Sequence, residues 1–244
     1  MADLNTQTIE YGAGGAALKG FLATDKARSG KRPGVLVVHE WWGLNDYIRG
    51  RARKLAELGF TALAADIYGD GKTASTPAEA TGLMNGILGD IKKAEERLGA
   101  ARERLAAHPD VDADRIAAIG YCFGGAVVLH AARIGMPLRG VVSFHGALGS
   151  FHKPAPGTVE AKVLVCHGAA DALVPDSDIA NFKQEMDAAK ADYRFVAYPG
   201  ALHGFTNPEA DEAGKKYGMP VAYDAAVDKQ SWQDMQDFFA RIFA

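Results

Sequence analysis

The chain has 244 residues, of which 48% are hydrophobic and 23% charged, and its net charge is −3. That length and composition support a sizeable core and one large α/β domain over residues 1–244. There is no basic run and no apolar stretch of about 18 residues, which argues against nucleic-acid binding and against a membrane-spanning helix. The two cysteines, Cys122 and Cys166, allow at most one disulfide. Both are expected to be free, in a reducing, cytoplasmic compartment, and Met1-Ala2-Asp3-Leu4-Asn5 lacks the regions of a signal peptide.

In chain order, Thr8–Tyr11 and Ala17–Leu22 alternate around a Gly-rich stretch and read as an opening antiparallel hairpin. Residues 27–33 form a polar loop. Gly34–His39 lacks alternation, as expected of a strand covered on both faces. Ile48, Ala52 and Leu55 then recur at helical spacing, and Gly59 stops the helix. On the same helix Arg49, Arg51 and Arg53 are expected to face solvent. Phe60–Ala65 is the next strand, and residues 69–77 are loop-like. A helix rich in Gly and Met runs to Leu88. Ile91, Ala94, Leu98, Ala101 and Leu105 mark an amphipathic helix. Ile116–Ile119 reads as a buried strand and 126–132 as a helix. Short strands follow at 140–144 and 162–166. Ile179, Phe182 and Met186 mark a helix, 193–198 a strand, and Trp232, Met235, Phe239 and Ile242 the closing helix. Strands alternating with helices imply a mostly parallel sheet with function at the carboxyl ends of its strands.

The most informative stretch is Gly120-Tyr121-Cys122-Phe123-Gly124, set between a strand and a helix. So short a turn forces its central residue into a strained conformation and needs small neighbours. This is the nucleophile elbow of an α/β-hydrolase fold, with Cys in the place of Ser. A thiol nucleophile needs a base, and the base an orienting carboxylate. The fold supplies them in the order nucleophile, acid, histidine. Asp171 lies on the loop after the strand ending at Cys166, and His203 on the loop after the strand ending at Tyr198. His145 is the rival base, and Asp66 and Asp176 are the rival acids. Asp66 precedes the elbow, and Asp176 suits a helix N-cap. His39 and His167, at strand ends, read as structural groups with satisfied hydrogen bonds. Cys166 reads as a small core residue. No metal-ligand spacing and no dinucleotide fingerprint is present, so neither metal nor cofactor is expected.

With these residues in view, the chain from about Leu18 to Phe243 resembles the dienelactone hydrolase family. The resemblance rests on Val37-Val38-His39-Glu40-Trp41-Trp42-Gly43, Gly120–Gly125, Asp171 and His203-Gly204-Phe205. It implies a Cys122–His203–Asp171 triad. It also implies that Glu40 helps generate the thiolate and that the backbone N–H groups of Trp41 and Phe123 form the oxyanion hole. Trp42, Tyr68, Tyr121 and Phe205 are expected to wall the pocket. The arginines with which the family holds a substrate carboxylate have no counterpart in Gly204–Asn207 or between Tyr68 and Leu88. The expected substrate is therefore a small neutral ester or lactone, with activated phosphotriesters as a side reaction. The alternatives are an anionic dienelactone, a non-catalytic binding module and an acyltransferase. A monomer and a homodimer both fit.

Overall fold

The computed structural model describes residues 2–244. Its eight strands make a mostly parallel sheet with helices in the connections. The chain comprises two compact units, residues 1–119 and 120–244.

The first unit opens with an antiparallel hairpin of β1 (Leu4–Ala13) and β2 (Ala16–Asp25). Both strands are longer than the alternation in sequence indicates. Only Gly14 and Gly15 are left to turn, at φ 54° and 74°, the positive values a tight two-residue hairpin needs. Next come β3 (Arg32–Val38), α1 (Asp46–Glu57) and β4 (Thr61–Ala65). β4 pairs antiparallel with β2 and parallel with β3. All five residues of β4 are buried, which explains why its sequence shows no alternation.

In α1 the Asn45 side chain accepts from the Ile48 N–H and starts the helix. Arg49 pairs with Asp46 at 2.9 Å. Arg51 does not face solvent as expected. It is buried, one turn from Tyr47, with its guanidinium 5.1 Å from that ring. Residue 51 falls on the same face as Ile48, Ala52 and Leu55, and an aromatic face offsets part of the desolvation of the cation.

α2 (Pro77–Leu88) is capped by Thr76 with Pro77 in its first turn. α3 (Lys92–Ala106) buries Ala94, Leu98, Ala101 and Leu105, the stripe read from sequence, while Ile91 caps it. β5 (Val111–Tyr121) starts earlier than the apolar run because its first half, around Asp112 to Arg115, is only partly covered. Strand order in this unit is β1-β2-β4-β3-β5.

The second unit takes in the end of β5 and then α4 (Phe123–Arg133), β6 (Gly140–Phe144) and β7 (Lys162–Gly168). α5 (Asp176–Ala188) and β8 (Tyr193–Tyr198) follow, and β6, β7 and β8 pair in parallel. Pro175, not Asp176, is the cap of α5, and Asp176 lies in its first turn. α6 (Ala210–Tyr217) has no counterpart in the sequence reading, and α7 (Ala225–Ile242) closes the chain. α4 is buried along its whole length. Arg133 at its end is buried too. It pairs with Glu185 at 2.6 Å and donates to Leu148 O at 2.9 Å, which ties α4 to α5 and to the loop after β6. Among the described residues no helix is long and apolar enough to cross a membrane.

Candidate active site

Cys122 lies between β5 and α4 at φ 53°, ψ −115°. Such a conformation in a non-glycine residue costs on the order of 1–3 kcal/mol and has to be held by its surroundings. Here its N–H donates to Phe144 O at 3.0 Å. A Cβ on Gly120 would collide with the Gly124 backbone, and one on Gly125 would lie 2.6 Å from Ser143 Oγ and 2.8 Å from Gly146 Cα. Glycine at both places is therefore a condition for the turn. Cys122 is partly exposed and stands at the N-terminal end of α4, the positive end of its dipole.

Asp171 follows β7 and is buried. One carboxylate oxygen accepts from the Leu173 N–H at 2.9 Å, and the other accepts from His203 Nδ1–H at 2.8 Å. His203 follows β8 and is buried as well. Its own position is fixed by a segment the sequence reading missed. After α6 the chain returns so that the Ala222 N–H donates to His203 O at 3.1 Å and the Asp224 N–H to Phe205 O at 3.0 Å. The one available signal was Gly218, which ends α6 at φ 66°.

The His203 ring also hydrogen-bonds the Cys122 side chain. Burial alone depresses an imidazole pKa. The charge of Cys122 and the hydrogen bonds with Asp171 and Cys122 outweigh it, so His203 is pushed up to about 10. Cys122, His203 and Asp171 are thus brought together within the second unit as a continuous chain of polar contacts.

The rival acid Asp66 is engaged elsewhere. Asp66 accepts four backbone N–H groups, from Lys19, Tyr68, Gly69 and Gly71, and organises the loop after β4. His39 donates through Nδ1 to Glu40 O at 2.6 Å and accepts at Nε2 from the Ile67 N–H at 3.2 Å. Burial pushes it down to about 4, so the ring is neutral. His167 departs from expectation, since its buried Nδ1 has no hydrogen-bond partner. Cys166 is wholly buried, as a core residue should be, and the Tyr198 hydroxyl points at its sulfur at 3.4 Å.

The remaining expected site residues fall into two groups. In the first unit Glu40 is buried at the carboxyl end of β3. Beside it the Trp41 and Trp42 rings lie 4.9 Å apart, and the Tyr68 hydroxyl donates to Trp41 O at 2.8 Å. In the second unit Phe123 opens α4. Tyr121 stacks on Phe144 at 4.8 Å, and Phe205 lies edge-on to His145 at 5.1 Å. Tyr121 and Phe205 are both fully buried.

A mostly parallel α/β sheet with a strained strand-to-helix turn ahead of an acid loop and a histidine loop defines the α/β-hydrolase class. The chain belongs to the dienelactone hydrolase family, whose model matches residues 18–243. It is an ester or lactone hydrolase of that family. Among solved structures it is similar to a dienelactone hydrolase-like promiscuous phosphotriesterase from metagenomic libraries. The two are 38% identical over 99% of each chain, with a TM-score of 0.90. It is similar also to a structure named m3DLH, at 40% identity over 99% of each chain and a TM-score of 0.92. A Salmonella typhimurium protein provisionally named a carboxymethylenebutenolidase is 28% identical, covering 93% of this chain and 84% of its own.

Proposed function

We propose that the protein is a cysteine-dependent hydrolase of small neutral esters and lactones, working through a Cys122–His203–Asp171 triad on one domain spanning 1–244. The observation that carries this reading is the His203 ring, hydrogen-bonded to Asp171 on one side and to Cys122 on the other. The Cys122 thiolate attacks the carbonyl carbon. The resulting oxyanion is held by backbone N–H groups, that of Phe123 at the start of α4 and, by the family resemblance, that of Trp41. His203 gives its proton to the leaving alkoxide, and a thioester on Cys122 remains. His203 then takes a proton from water, the hydroxide attacks the thioester, and the acid leaves as the thiolate re-forms. Asp171 holds the imidazole in the tautomer this cycle needs. Glu40 belongs to the same reading as the carboxylate that promotes thiolate formation.

Similarity to a promiscuous phosphotriesterase supports the proposed side reaction with activated neutral phosphotriesters. No cofactor enters the cycle. The reading places the enzyme in the cytoplasm, as a monomer or homodimer. The test is to quench turnover of an aryl ester in acid and digest the protein. An acyl group on the Cys122 peptide is expected. Steady turnover by Cys122→Ala at the unchanged rate overturns the reading.

A further inference from the structure

Cys122 is not the only strained non-glycine residue in this part of the second unit. His145, the first residue after β6, has φ 40°. The two are linked, because the Cys122 N–H donates to the carbonyl of Phe144, the residue before His145. The His145 N–H in turn donates to Cys166 O at 2.8 Å. The backbone is therefore bent at two adjoining strand ends, and the second bend aims the His145 side chain inward, where it is wholly buried.

Its ring meets His203 edge to face, with centroids 5.1 Å apart, and meets Phe205 in the same way at 5.1 Å. Its Nε2 is 2.7 Å from the Thr206 hydroxyl, which is also wholly buried. Thr206 lies three residues beyond His203 on the same loop. A wholly apolar side chain at 145 would fill this space without a desolvation penalty, yet a buried imidazole and a buried hydroxyl are paired there.

We infer that His145 and Thr206 form a supporting layer that fixes the ring plane of His203, so that His145 is a positioning residue for the hydrolase reaction. The inference rests on the reading of His203 as the proton carrier. In that reading His203 must line up with the sulfur, the leaving oxygen and then water, while Asp171 holds it at one atom only. Hydrogen bonds to Asp171 on one side and to Cys122 on the other leave the ring free to turn about the line that joins them. The edge of His145, anchored through Thr206 to the loop that carries His203, removes this freedom. Small misplacements of a reacting group lower rates by as much as about a hundredfold.

The experiment compares Thr206→Val, which keeps shape and removes the hydroxyl, with Thr206→Ser, which restores it, and adds His145→Phe. The readouts are kcat and KM for a neutral aryl ester and the pH dependence of kcat. The titratable groups facing His203 are Cys122 at the start of α4, Asp171 after β7, His167 at the end of β7 and His145 itself. Thr206→Val and His145→Phe are expected to lower kcat by roughly tenfold with KM within about twofold, and to move the pH profile. Thr206→Ser should recover most of the rate. The double variant should lose little more than the weaker single variant, as expected for one coupled unit. A merely structural pair would lower the melting temperature and leave kcat and its pH profile in place well below that temperature. If His145→Phe does not fold, Thr206→Val decides. A folded Thr206→Val with wild-type kcat and pH profile overturns the inference, provided Cys122→Ala is inactive. If Cys122→Ala is itself active, the triad reading has failed and the inference falls with it.

Discussion

The two cysteines show how far surroundings decide what a side chain does. Cys166 is closed off in β7, and burial pushes its thiol up to about 12, so it is protonated and inert at neutral pH. Cys122 is partly exposed at a helix N-terminus and hydrogen-bonded to His203. Cys122→Ala should lower kcat for an aryl ester by about four orders of magnitude or more, with the fold intact by circular dichroism. Cys166→Ala should keep kcat within about twofold and lose about 1 kcal/mol of stability in a denaturant titration. A second prediction concerns His203. Its pKa is raised from 6.5 to about 10. The folded chain therefore holds this proton more tightly than the unfolded chain. The resulting stabilisation is whole below pH 6.5 and is lost as pH rises toward 10. The charge on Cys122 is the largest of the raising effects, ahead of the hydrogen bond to Asp171. In Cys122→Ala, nuclear magnetic resonance should find the His203 midpoint lower by more than about one unit, because burial then opposes the cation with less compensation. An unmoved midpoint would mean that Asp171 alone sets it.

At the scale of the element, the strand–turn–helix from β5 to α4 is specified by glycines whose replacement meets backbone. Gly120→Ala should destabilise the protein by about 3 kcal/mol or prevent folding, since a Cβ there runs into the Gly124 carbonyl and neither side can yield cheaply. Gly86 in α2 is the matched control. It is exposed on a helix, and nothing lies within 4 Å of an added Cβ. Gly86→Ala should therefore stabilise the protein by about 0.5–1 kcal/mol, through lower chain entropy when unfolded and better helix propensity. Chemical denaturation of the two variants side by side measures the contrast. Similar changes in both would show that the turn tolerates a side chain after all.

For the whole molecule, the arrangement of cations bears on substrate choice. A partly buried site accepts an anion only where a cation or several donors compensate its desolvation. The arginines of α1 are committed elsewhere: Arg49 pairs with Asp46, while Arg51 and Arg53 lie over the rings of Tyr47 and Phe21. Arg97 donates to Ile67 O at 2.7 Å. In a matched pair of aryl esters, one neutral and one with a carboxylate on its acyl part, kcat/KM should favour the neutral one by about tenfold, or about 1.4 kcal/mol. An equal advantage for the anion would require one of these arginines to leave its partner and bind substrate.

The sequence by itself determined the alternation of strands and helices, the tight turn at Cys122 and the order in which the loops that carry Asp171 and His203 follow. Each of these is local: a run of β-branched residues, a Gly-x-Cys-x-Gly turn, a strand end. It also separated Cys122 from Cys166, because only one of them stands at a turn. The extent of β5, the burial of Arg51 and the existence of α6 were decided by tertiary structure, since each depends on what covers a segment and not on its own pattern. The same holds for the surroundings of His203. The return of residues 222–224 onto its loop and the lodging of His145 against its ring join positions far apart in the chain. No periodicity in sequence encodes those contacts, because burial and hydrogen bonding across such separations are settled only when the loops meet.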